Sequence, residues 1–525
     1  MSREFNITGT CIAEKHYMVD ISENLKEVFQ LVEKGNYFTI SRPRQFGKTT
    51  SLFYLKKMIR KNPDYLVSSI SFEGIGDAVF RDEKTFCPFV LKLIGEGFFD
   101  DDIQKYLEDS SASVTDIKTL SGYITIFVKK YNKKIVLMID EVDKSSNNQL
   151  FLSFIGMLRN KYLFRDQGED HTFQSVILAG LHDVRTLKLK LRPDEEQKFN
   201  SPWNIATDFK VDMSFDPREI STMLIDYAND KKVEMDIMKI AERIHHYTSG
   251  YPFLVSRICK EIDEEILPKK TTKTWSEADI DNAARDISAE WVSNTNYESL
   301  VKNIEDNDKL YTLCEELVCG SNSFAFNLLN PTIYLGVIHG LFGKGKENKV
   351  DFHNKIYEVI ITNYITSKLS LDKSKDIASE AVSVRFERPD GSLDIEKVLL
   401  KFQEVIKEKY SQSEVLKSNE FLEKNLRLLF LVFLKPIING RGFSFKEVET
   451  GAEKRIDIVI IFQDEKFVGE LKLWRGAEYH KEGMERLKNY MKHEGAEKGY
   501  MLIMDKTRHK EFIVENEEGV MMVWI

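Results

Sequence analysis

The sequence predicts an α/β protein built from a mostly parallel β-sheet with helices on both faces, a helical region, and a second, smaller α/β domain. Three observations predict this fold class. Apolar, β-prone runs alternate with amphipathic helical patterns over residues 1–215, which is typical of a doubly wound sheet. Residues 216–369 have mainly helical patterns. Residues 370–525 then give the order α-β-β-β-α-β.

The composition is that of a globular protein. At 525 residues the chain is too long for a single core, and we expect about three domains. No run of about 18 apolar residues predicts a membrane span and Met1–Thr10 is polar, so we expect a cytoplasmic protein with no membrane partner. The 5 cysteines lack metal-ligand spacing and predict reduced thiols. A net charge of −9 argues against a broadly basic nucleic-acid surface, although it leaves a local one open.

The segment Ser41–Thr50, which reads S-R-P-R-Q-F-G-K-T-T, joins a predicted strand to a predicted helix. A tight loop that ends in Gly-Lys-Thr at such a junction binds phosphates, because loop N–H groups and the positive end of the helix face the anion. We expect Lys48 to reach the β- and γ-phosphates of a nucleotide and the Thr49 hydroxyl to bind Mg²⁺. The expected ATP-binding residues of this loop are Arg42, Pro43, Arg44, Gln45, Phe46, Gly47, Lys48, Thr49 and Thr50.

A second motif, Lys134–Asp143, reads K-I-V-L-M-I-D-E-V-D. Five consecutive apolar residues that end in two carboxylates predict a buried parallel strand, and ligands bind at the carboxyl end of such strands. We expect Asp140 to bind the nucleotide's Mg²⁺ through water and Glu141 to polarise the attacking water. By itself the motif is equally compatible with a core strand that ends in a solvated acidic turn, but beside a phosphate-binding loop the catalytic interpretation is favoured.

The two motifs together resemble the AAA-ATPase-like family of bacterial P-loop NTPases over residues 1–215. Arg42 stands where the general pattern G-x-x-x-x-G-K-[ST] has its first glycine, and the loop of this family, R-P-R-x-F-G-K-[ST], also has Arg there. The resemblance implies an ATPase core with a helical lid, in which T-S-G-Y-P at Thr248–Pro252 opens a helix near the nucleotide. It also implies that Val19 and Asp20 match a motif near the base, although a plain strand end and turn explains Asp20 as well.

Further candidates for the nucleotide site follow the predicted strand Ser175–Gly180. His182 or Asp183 is a candidate for sensing the γ-phosphate, but a plain polar loop is the favoured interpretation of these residues. Three arginines are candidates for an arginine finger, and the sequence does not choose among them: Arg159, Arg165 and Arg185.

The helical region contains K-V-D-F-H-N-K-I-Y-E-V-I at Lys349–Ile360, which predicts a strand and a helix of a winged-helix-like module. Such a module either docks DNA or packs on the lid, and packing is favoured because the pattern shows no basic face. The mostly polar segment Ser370–Lys375 then predicts a break between this region and the C-terminal domain.

The C-terminal third contains a second group of charged residues within apolar strands. Asp457 lies near the start of the predicted strand Arg455–Phe462. Glu470 and Lys472 are two residues apart on the next predicted strand, so both side chains are expected on one face of the sheet. Carboxylates of this kind suit Mg²⁺, which prefers oxygen ligands. A surface hairpin that happens to carry Asp, Glu and Lys is the alternative.

This layout is similar to the PD-(D/E)xK nuclease superfamily over residues 370–525. The resemblance implies that Asp457 and Glu470 bind Mg²⁺ (with Mn²⁺ as a substitute) and that Lys472 positions the attacking water. It implies that Glu423, on the preceding helix, completes the metal site. The chain departs from the superfamily at Arg486 in G-M-E-R-L-K-N-Y, where many relatives have Gln.

The sequence therefore predicts a Mg²⁺-dependent ATPase that controls cleavage of DNA by a C-terminal restriction-endonuclease-like domain. The resemblance implies a setting in defence against foreign DNA. The expected partners are ATP and DNA, and assembly into a homo-oligomer is left open. The alternative is a non-catalytic switch, in which ATP binding changes the shape of the protein and a degenerate nuclease fold binds nucleic acid or another partner.

Overall fold

The structure is a computed structural model of the chain. It describes residues 3–142, 149–181, 203, 205–289, 295–319, 323–372, 380–381, 384–410, 422–438, 441–448, 455–463, 465–474, 476–494, 496–504 and 512–525. For some residues inside elements, among them Glu423 and Asp457, only the backbone is described. The chain packs into two compact units. The first unit comprises Met1–Lys232 and Gly250–Arg257, and the second comprises Val233–Ser249 and Ile258–Ile525. The division into three domains at residues 215 and 369 stays a prediction.

The first unit contains a parallel sheet and helices that alternate with its strands. Its elements are β1 Glu4–Phe5, β2 His16–Tyr17, α1 Ser22–Glu33, β3 Phe38–Ser41, α2 Lys48–Ile59, β4 Tyr65–Ser71, α3 Glu83–Glu96, α4 Asp101–Ser111, α5 Ile117–Tyr131, β5 Lys134–Asp140, α6 Gln149–Asp166, β6 Ser175–Gly180 and α7 Pro217–Lys231. Four of the strands form one sheet in the order β3-β6-β5-β4, and every pair in it is parallel. The predicted parallel α/β sheet is confirmed.

Strand β5 shows why this sheet forms. Ile135, Leu137 and Ile139 belong to a core that also contains buried residues of α3–α6. Val136 and Met138 alternate with them and are fully buried too. Since successive side chains of a strand point to opposite faces, both faces of β5 are covered, as a continuous apolar run predicts.

One predicted helix is wrong in its extent. The pattern over residues 89–107 predicts a single helix, but the structure has α3 and α4 with a break between them. Phe99 adopts a left-handed backbone with φ 54°. Asp100 then starts α4, because its Oδ1 accepts a hydrogen bond from the Ile103 N–H at 3.0 Å. A side-chain cap of this kind satisfies a free helix-terminal donor and fixes where the helix begins.

The second unit begins with helices and ends with a mixed sheet. Its elements are α8 Ile237–Thr248, the end of α9 Pro252–Glu261, α10 Glu277–Ala289, α11 Thr295–Glu305, α12 Asp308–Cys319, α13 Pro331–Ile338, β7 Phe342–Lys344, β8 Val350–Phe352, α14 Lys355–Asp372, α15 Ile395–Tyr410, α16 Leu422–Ile438, β9 Gly442–Val448, β10 Arg455–Phe462, β11 Glu465–Leu473, α17 Ala477–Glu494, β12 Gly499–Met504, β13 Val514–Glu517 and β14 Val520–Trp524.

The hairpin β7–β8 is followed directly by α14, so the strand and helix predicted around Lys349–Ile360 are present. Helix α14 continues to Asp372. The predicted polar break therefore begins later than Ser370. No helix among the described residues combines the length and the apolar character that crossing a bilayer requires.

The C-terminal sheet has the strand order β13-β14-β12-β11-β10-β9. Strands β9, β10 and β11 are antiparallel, whereas β11, β12 and β14 are parallel to one another. Helix α17 connects the parallel strands β11 and β12, as such crossovers require. The run α16-β9-β10-β11-α17-β12 has the predicted order, but β13 and β14 are not predicted. The relation of this sheet to nucleases stays a prediction.

Candidate nucleotide site and a second charged cluster

The loop between β3 and α2 surrounds the Lys48 ammonium. Lys48 Nζ donates hydrogen bonds to the carbonyl oxygens of Arg42 at 2.9 Å and Pro43 at 2.8 Å. Gly47 and Gln45 have left-handed backbones, with φ 79° and φ 55°. The loop therefore turns back on itself just before α2 begins, and it holds a cation with neutral main-chain oxygens.

Thr49 and Asp140 bring the two sequence motifs together. The Thr49 hydroxyl donates a hydrogen bond to Asp140 Oδ2 at 2.9 Å, although the residues are 91 positions apart. Thr49 lies in the first turn of α2 and Asp140 ends β5. A hydroxyl and a carboxylate are hard oxygen ligands, so this pair fits a Mg²⁺ ion.

Glu141 follows β5 in a strained conformation. Its φ is 54°, and its N–H donates to Asp140 Oδ1 at 2.9 Å. A left-handed residue other than glycine costs of the order of 1–3 kcal/mol, and such residues concentrate at functional sites. The side chain is half-buried. Glu141 therefore directly follows the end of β5, at the same edge of the sheet as the Thr49–Asp140 contact.

The predicted lid turn lies against the loop. The Tyr251 hydroxyl donates a hydrogen bond to the Arg44 carbonyl oxygen at 2.6 Å, and the Phe46 ring packs edge-on against Tyr251 with centroids 4.8 Å apart. Gly250 has φ 71°, and a Cβ there would lie 2.1 Å from the Phe215 carbonyl oxygen. Only glycine allows this approach, which brings the turn to the loop.

A largely apolar cavity of about 140 Å³ adjoins the loop. One wall is formed by a segment that we call the strap, residues 207–215, which contributes Phe209, Val211, Met213 and Phe215. Val19 also lines the cavity. Asp20 Oδ1 instead accepts the N–H of Ser22 at 2.9 Å, so Asp20 has the contact of a turn residue. A cavity with aromatic walls beside a phosphate loop suits a nucleotide base.

A second group of charged residues lies between β11 and α17 in the second unit. Glu470 and Lys472 are each only 2% exposed, and Lys472 Nζ is 3.9 Å from Glu470 Oε1. Arg486 on α17 forms a closer ion pair, with Nη2 at 2.8 Å from the same oxygen. Lys472 Nζ also donates to the carbonyl oxygens of Tyr479 and His480 at 3.2 and 3.3 Å. The predicted pair therefore shares one face, and Arg486 is part of the cluster.

Gly483 makes room for this cluster. A Cβ at this position would lie 2.0 Å from Lys472 Nζ and 2.8 Å from Glu470 Oε1. Gly483 is the first residue of the motif G-M-E-R-L-K-N-Y. No sequence pattern could have shown its role there, because that role depends on how closely α17 approaches β11.

Asp457 lies on the neighbouring strand. The register of β10 and β11 pairs Ile458 with Gly469, so Asp457 and Glu470 are the next residues along two antiparallel strands. The side chains of Asp457 and Glu423 are outside those described. Among the side chains that are described, no group of three or more His, Cys, Asp or Glu residues could hold a metal ion. The described part of the cluster alone therefore does not make a metal site.

Two family models match the chain. Residues 11–333 match the family described as AAA-like domain. The chain belongs to this family. The protein is accordingly an ATP-binding P-loop NTPase, in agreement with the loop geometry. Residues 393–508 match a family described as Domain of unknown function (DUF8371), which assigns no activity to the C-terminal sheet.

Several solved structures are similar to this AAA-like protein. The Walker-type ATPase PABY2304 of Pyrococcus abyssi is 9% identical, covers 68% of this chain and 99% of its own, and has a TM-score of 0.44. The ORC2 protein of Aeropyrum pernix, solved as ADPNP–ADP complexes, is 12% identical, with 66% and 92% coverage and a TM-score of 0.37. The RuvB Holliday junction branch migration motor of Thermotoga maritima is 12% identical, with 63% and 92% coverage and a TM-score of 0.32. No curated protein matches the chain.

Other candidate residues for the nucleotide site lie outside the described residues or away from the loop. His182, Asp183 and Arg185 lie outside the described residues. Arg165 binds the carbonyl oxygens of Gly35 and Gln174 at 2.8 Å. Because these carbonyls precede β3 and β6, Arg165 stabilises the sheet edge opposite the loop, and an arginine-finger role for it stays a prediction.

The side chains of two predicted loop residues form hydrogen bonds with other parts of the protein. The Thr50 hydroxyl accepts a hydrogen bond from the Cys11 N–H at 3.1 Å. The Arg42 guanidinium binds the carbonyl oxygens of Ser41 and Val211 at 2.9 and 2.8 Å. Direct phosphate contacts of these loop residues stay predictions.

Proposed function

We propose that the protein hydrolyses ATP at the loop site and that the state of this site controls a metal-dependent nuclease activity of the C-terminal domain. The observation that carries the ATPase part is the Thr49–Asp140 hydrogen bond of 2.9 Å beside the enclosed Lys48 ammonium. It brings the loop and the acidic strand end to one point, which is what phosphoryl transfer needs from its protein groups.

In this proposal each group has a defined task. Loop N–H groups and Lys48 bind the phosphate oxygens, and the ammonium exchanges its neutral carbonyl partners for charged ones. Thr49 and Asp140 would hold Mg²⁺, which neutralises charge on the phosphates when bound. Glu141 accepts a proton from the attacking water and orients it. The base rests in the cavity that Val19 and the strap line.

The ATPase proposal is tested by phosphate release from the purified full-length chain. We expect turnover that requires Mg²⁺ and stops when EDTA removes it. Binding of ATP without Mg²⁺-dependent phosphate release would contradict hydrolysis and leave ATP binding in place.

The nuclease proposal is supported by the burial of Glu470 and Lys472 on one face of β11, beside the backbone of Asp457. A lysine two residues from a metal-binding carboxylate can position a nucleophilic water. DNA is the proposed substrate, the cytoplasm the proposed location, and removal of foreign DNA the proposed setting. The Arg486–Glu470 ion pair favours the second candidate, a domain that binds nucleic acid without cutting it, because the carboxylate already has a cationic partner.

A cleavage assay separates these two candidates. Labelled double-stranded DNA, single-stranded DNA and RNA are incubated with the full-length protein in Mg²⁺ or Mn²⁺, with and without ATP. Glu470→Gln, purified identically, is the matched control. We expect cleavage by the wild type alone and a rate that changes with ATP. Binding of the labelled strands without cleavage would favour the non-catalytic switch.

A further inference from the structure

We propose that Arg42 is a positioning residue for the purine base of the nucleotide, which acts by holding the strap against the loop rather than by binding phosphate. The inference rests on ATP binding at the loop and goes beyond it, because it assigns a task to the residue that replaces the first glycine of the general loop pattern.

In the contacts that the structure gives, the Arg42 guanidinium binds the end of β3 and two residues of the strap. Nη2 donates to the Val211 carbonyl oxygen at 2.8 Å, and Nη1 donates to the Ser41 carbonyl oxygen at 2.9 Å. The guanidinium carbon lies 5.3 Å from the centre of the Phe209 ring, which is within cation–π distance. Burial lowers the pKa of Arg42, whereas the charge of Asp212 raises it. One guanidinium thus joins the start of the loop to two strap residues.

The strap is also attached to the sheet at its beginning. The Thr207 N–H donates to the Tyr37 carbonyl oxygen at 2.9 Å, and the Phe209 ring stacks on Phe38 at 5.9 Å. Further along the strap, Arg42 binds the Val211 carbonyl oxygen, Asn24 Nδ2 donates to the Asp212 carbonyl oxygen at 3.1 Å, and the Phe215 N–H donates to the Gly250 carbonyl oxygen at 2.9 Å. Phe209 and Val211 both line the base cavity, so Arg42 fixes the part of this wall at Val211.

Arg42 also contacts the phosphate end of the site through its backbone. Its carbonyl oxygen accepts a hydrogen bond from Lys48 Nζ at 2.9 Å. The backbone of Arg42 therefore contacts the phosphate end of the nucleotide site, and its side chain contacts the wall of the base cavity. Substitution of the side chain removes the strap contact and keeps the backbone carbonyl, so the two ends can be separated by experiment.

The test compares a ligand that has a base with one that has only phosphates. Isothermal titration calorimetry gives the Kd of ATP and of inorganic tripolyphosphate for the wild type, Arg42→Ala, Arg42→Lys and Lys48→Ala. We expect Arg42→Ala to raise the Kd of ATP about tenfold and that of tripolyphosphate less than about twofold, since one hydrogen bond from a charged donor is lost. Lys48→Ala should raise both. Arg42→Lys keeps the charge but cannot bridge the two carbonyls, so it should behave like Arg42→Ala.

Arg60 provides a matched control. It makes the same kind of contacts, with Nη2 at 2.8 Å from the Phe98 carbonyl oxygen and its guanidinium carbon 5.5 Å from the Phe99 ring. It follows α2 and does not line the cavity. We expect Arg60→Ala to leave the Kd of ATP unchanged.

The inference is overturned if Arg42→Ala raises the Kd of tripolyphosphate as much as that of ATP, since Arg42 would then be a phosphate ligand. It is equally overturned if the Kd of ATP stays at the wild-type value. Should Arg42→Ala fail to fold, Arg42→Lys answers the same question. Absence of ATP binding by the wild type would instead contradict the proposed function of the loop.

Discussion

The loop of the first unit and the cluster of the second unit both contain a buried lysine and a carboxylate, but the contacts that the structure gives for these groups differ. In the loop, Lys48 binds main-chain carbonyls and Asp140 binds a hydroxyl. In the cluster, Glu470 is paired with Arg486 and lies beside Lys472. Neutral partners can give way to a charged ligand without leaving an unpaired charge behind, whereas an ion pair must be broken first. Removing one partner of a buried ion pair costs about 3–5 kcal/mol.

In these contacts the loop offers partners that an anionic ligand and its metal can replace, whereas a guanidinium binds one carboxylate oxygen of the cluster. Competition between this guanidinium and a metal ion is one physical way in which a second event could control the proposed cleavage. The largest expected effects therefore test whether the cluster has catalytic activity, and smaller ones test how its ion pair affects metal binding.

The largest expected effect is the loss of DNA cleavage in Asp457→Ala and in Glu470→Gln, because each variant lacks a proposed metal-binding carboxylate. Lys472→Ala should also lose cleavage but retain most of its Mn²⁺ affinity. Phosphate release from ATP should stay near the wild-type rate in all three. Gel assays of labelled DNA, run beside ATPase assays, measure both activities. Cleavage that survives in Asp457→Ala would locate the active residues elsewhere.

At the loop, Glu141→Gln should reduce ATP hydrolysis by about a hundredfold or more, since the amide cannot accept a proton from water. ATP binding should be retained, because the loop and Lys48 are unchanged. Steady-state phosphate release and titration calorimetry measure the two effects. Lys48→Ala is the comparison variant and should lose binding itself. Wild-type turnover in Glu141→Gln would refute the assigned role.

Arg486→Gln tests whether the guanidinium competes with a metal for Glu470. We expect the Mn²⁺ Kd to fall about tenfold, because an ion-pair partner is replaced by a neutral amide. The double variant Arg486→Gln/Glu470→Gln should not show this increase in Mn²⁺ affinity. Titration with Mn²⁺ alone measures this without relying on cleavage. Equal affinities of the wild type and Arg486→Gln would mean that the ion pair does not limit metal binding.

The smallest expected effect concerns packing. Gly483→Ala should destabilise the second unit by about 1–3 kcal/mol, because its Cβ would overlap Lys472 Nζ. Gly122 is the matched control, since it lies in α5 and a Cβ added there would meet no atom within 4 Å. Gly122→Ala should stabilise the first unit by about 0.5–1 kcal/mol through helix propensity. Differential scanning calorimetry measures both, and equal shifts in the two variants would argue against close packing at Gly483.

Much of the fold follows from local pattern. Strands β6 and β10 have the predicted bounds, because each contains at least four consecutive apolar residues. Strand β14 is also apolar but is short and follows a turn of two residues. Its place inside the sheet depends on pairing with β12 rather than on its own sequence.

The site was predictable where both partners of an interaction lie in the two nucleotide-binding motifs, and less so elsewhere. Lys48 and Pro43 lie within one loop, so their proximity could be inferred. The contact between Arg42 and Val211 joins residues 169 positions apart, and no local pattern predicts it. The same holds for Arg486, whose departure from the nuclease pattern is visible in sequence, whereas its ion pair with Glu470 needs the packing of α17 on β11.

The position of β14 has a consequence for synthesis of the protein. Of the strands of this sheet that the structure describes, Val520–Trp524 is translated last, yet it lies between β12 and β13. Until it is translated, the edge of β12 is open to pairing with other chains, which is a recognised route to aggregation. A frameshift or a proteolytic cut upstream of Val520 would leave that edge exposed permanently. We expect any activity of this sheet to appear only after this strand has been translated and has paired with β12.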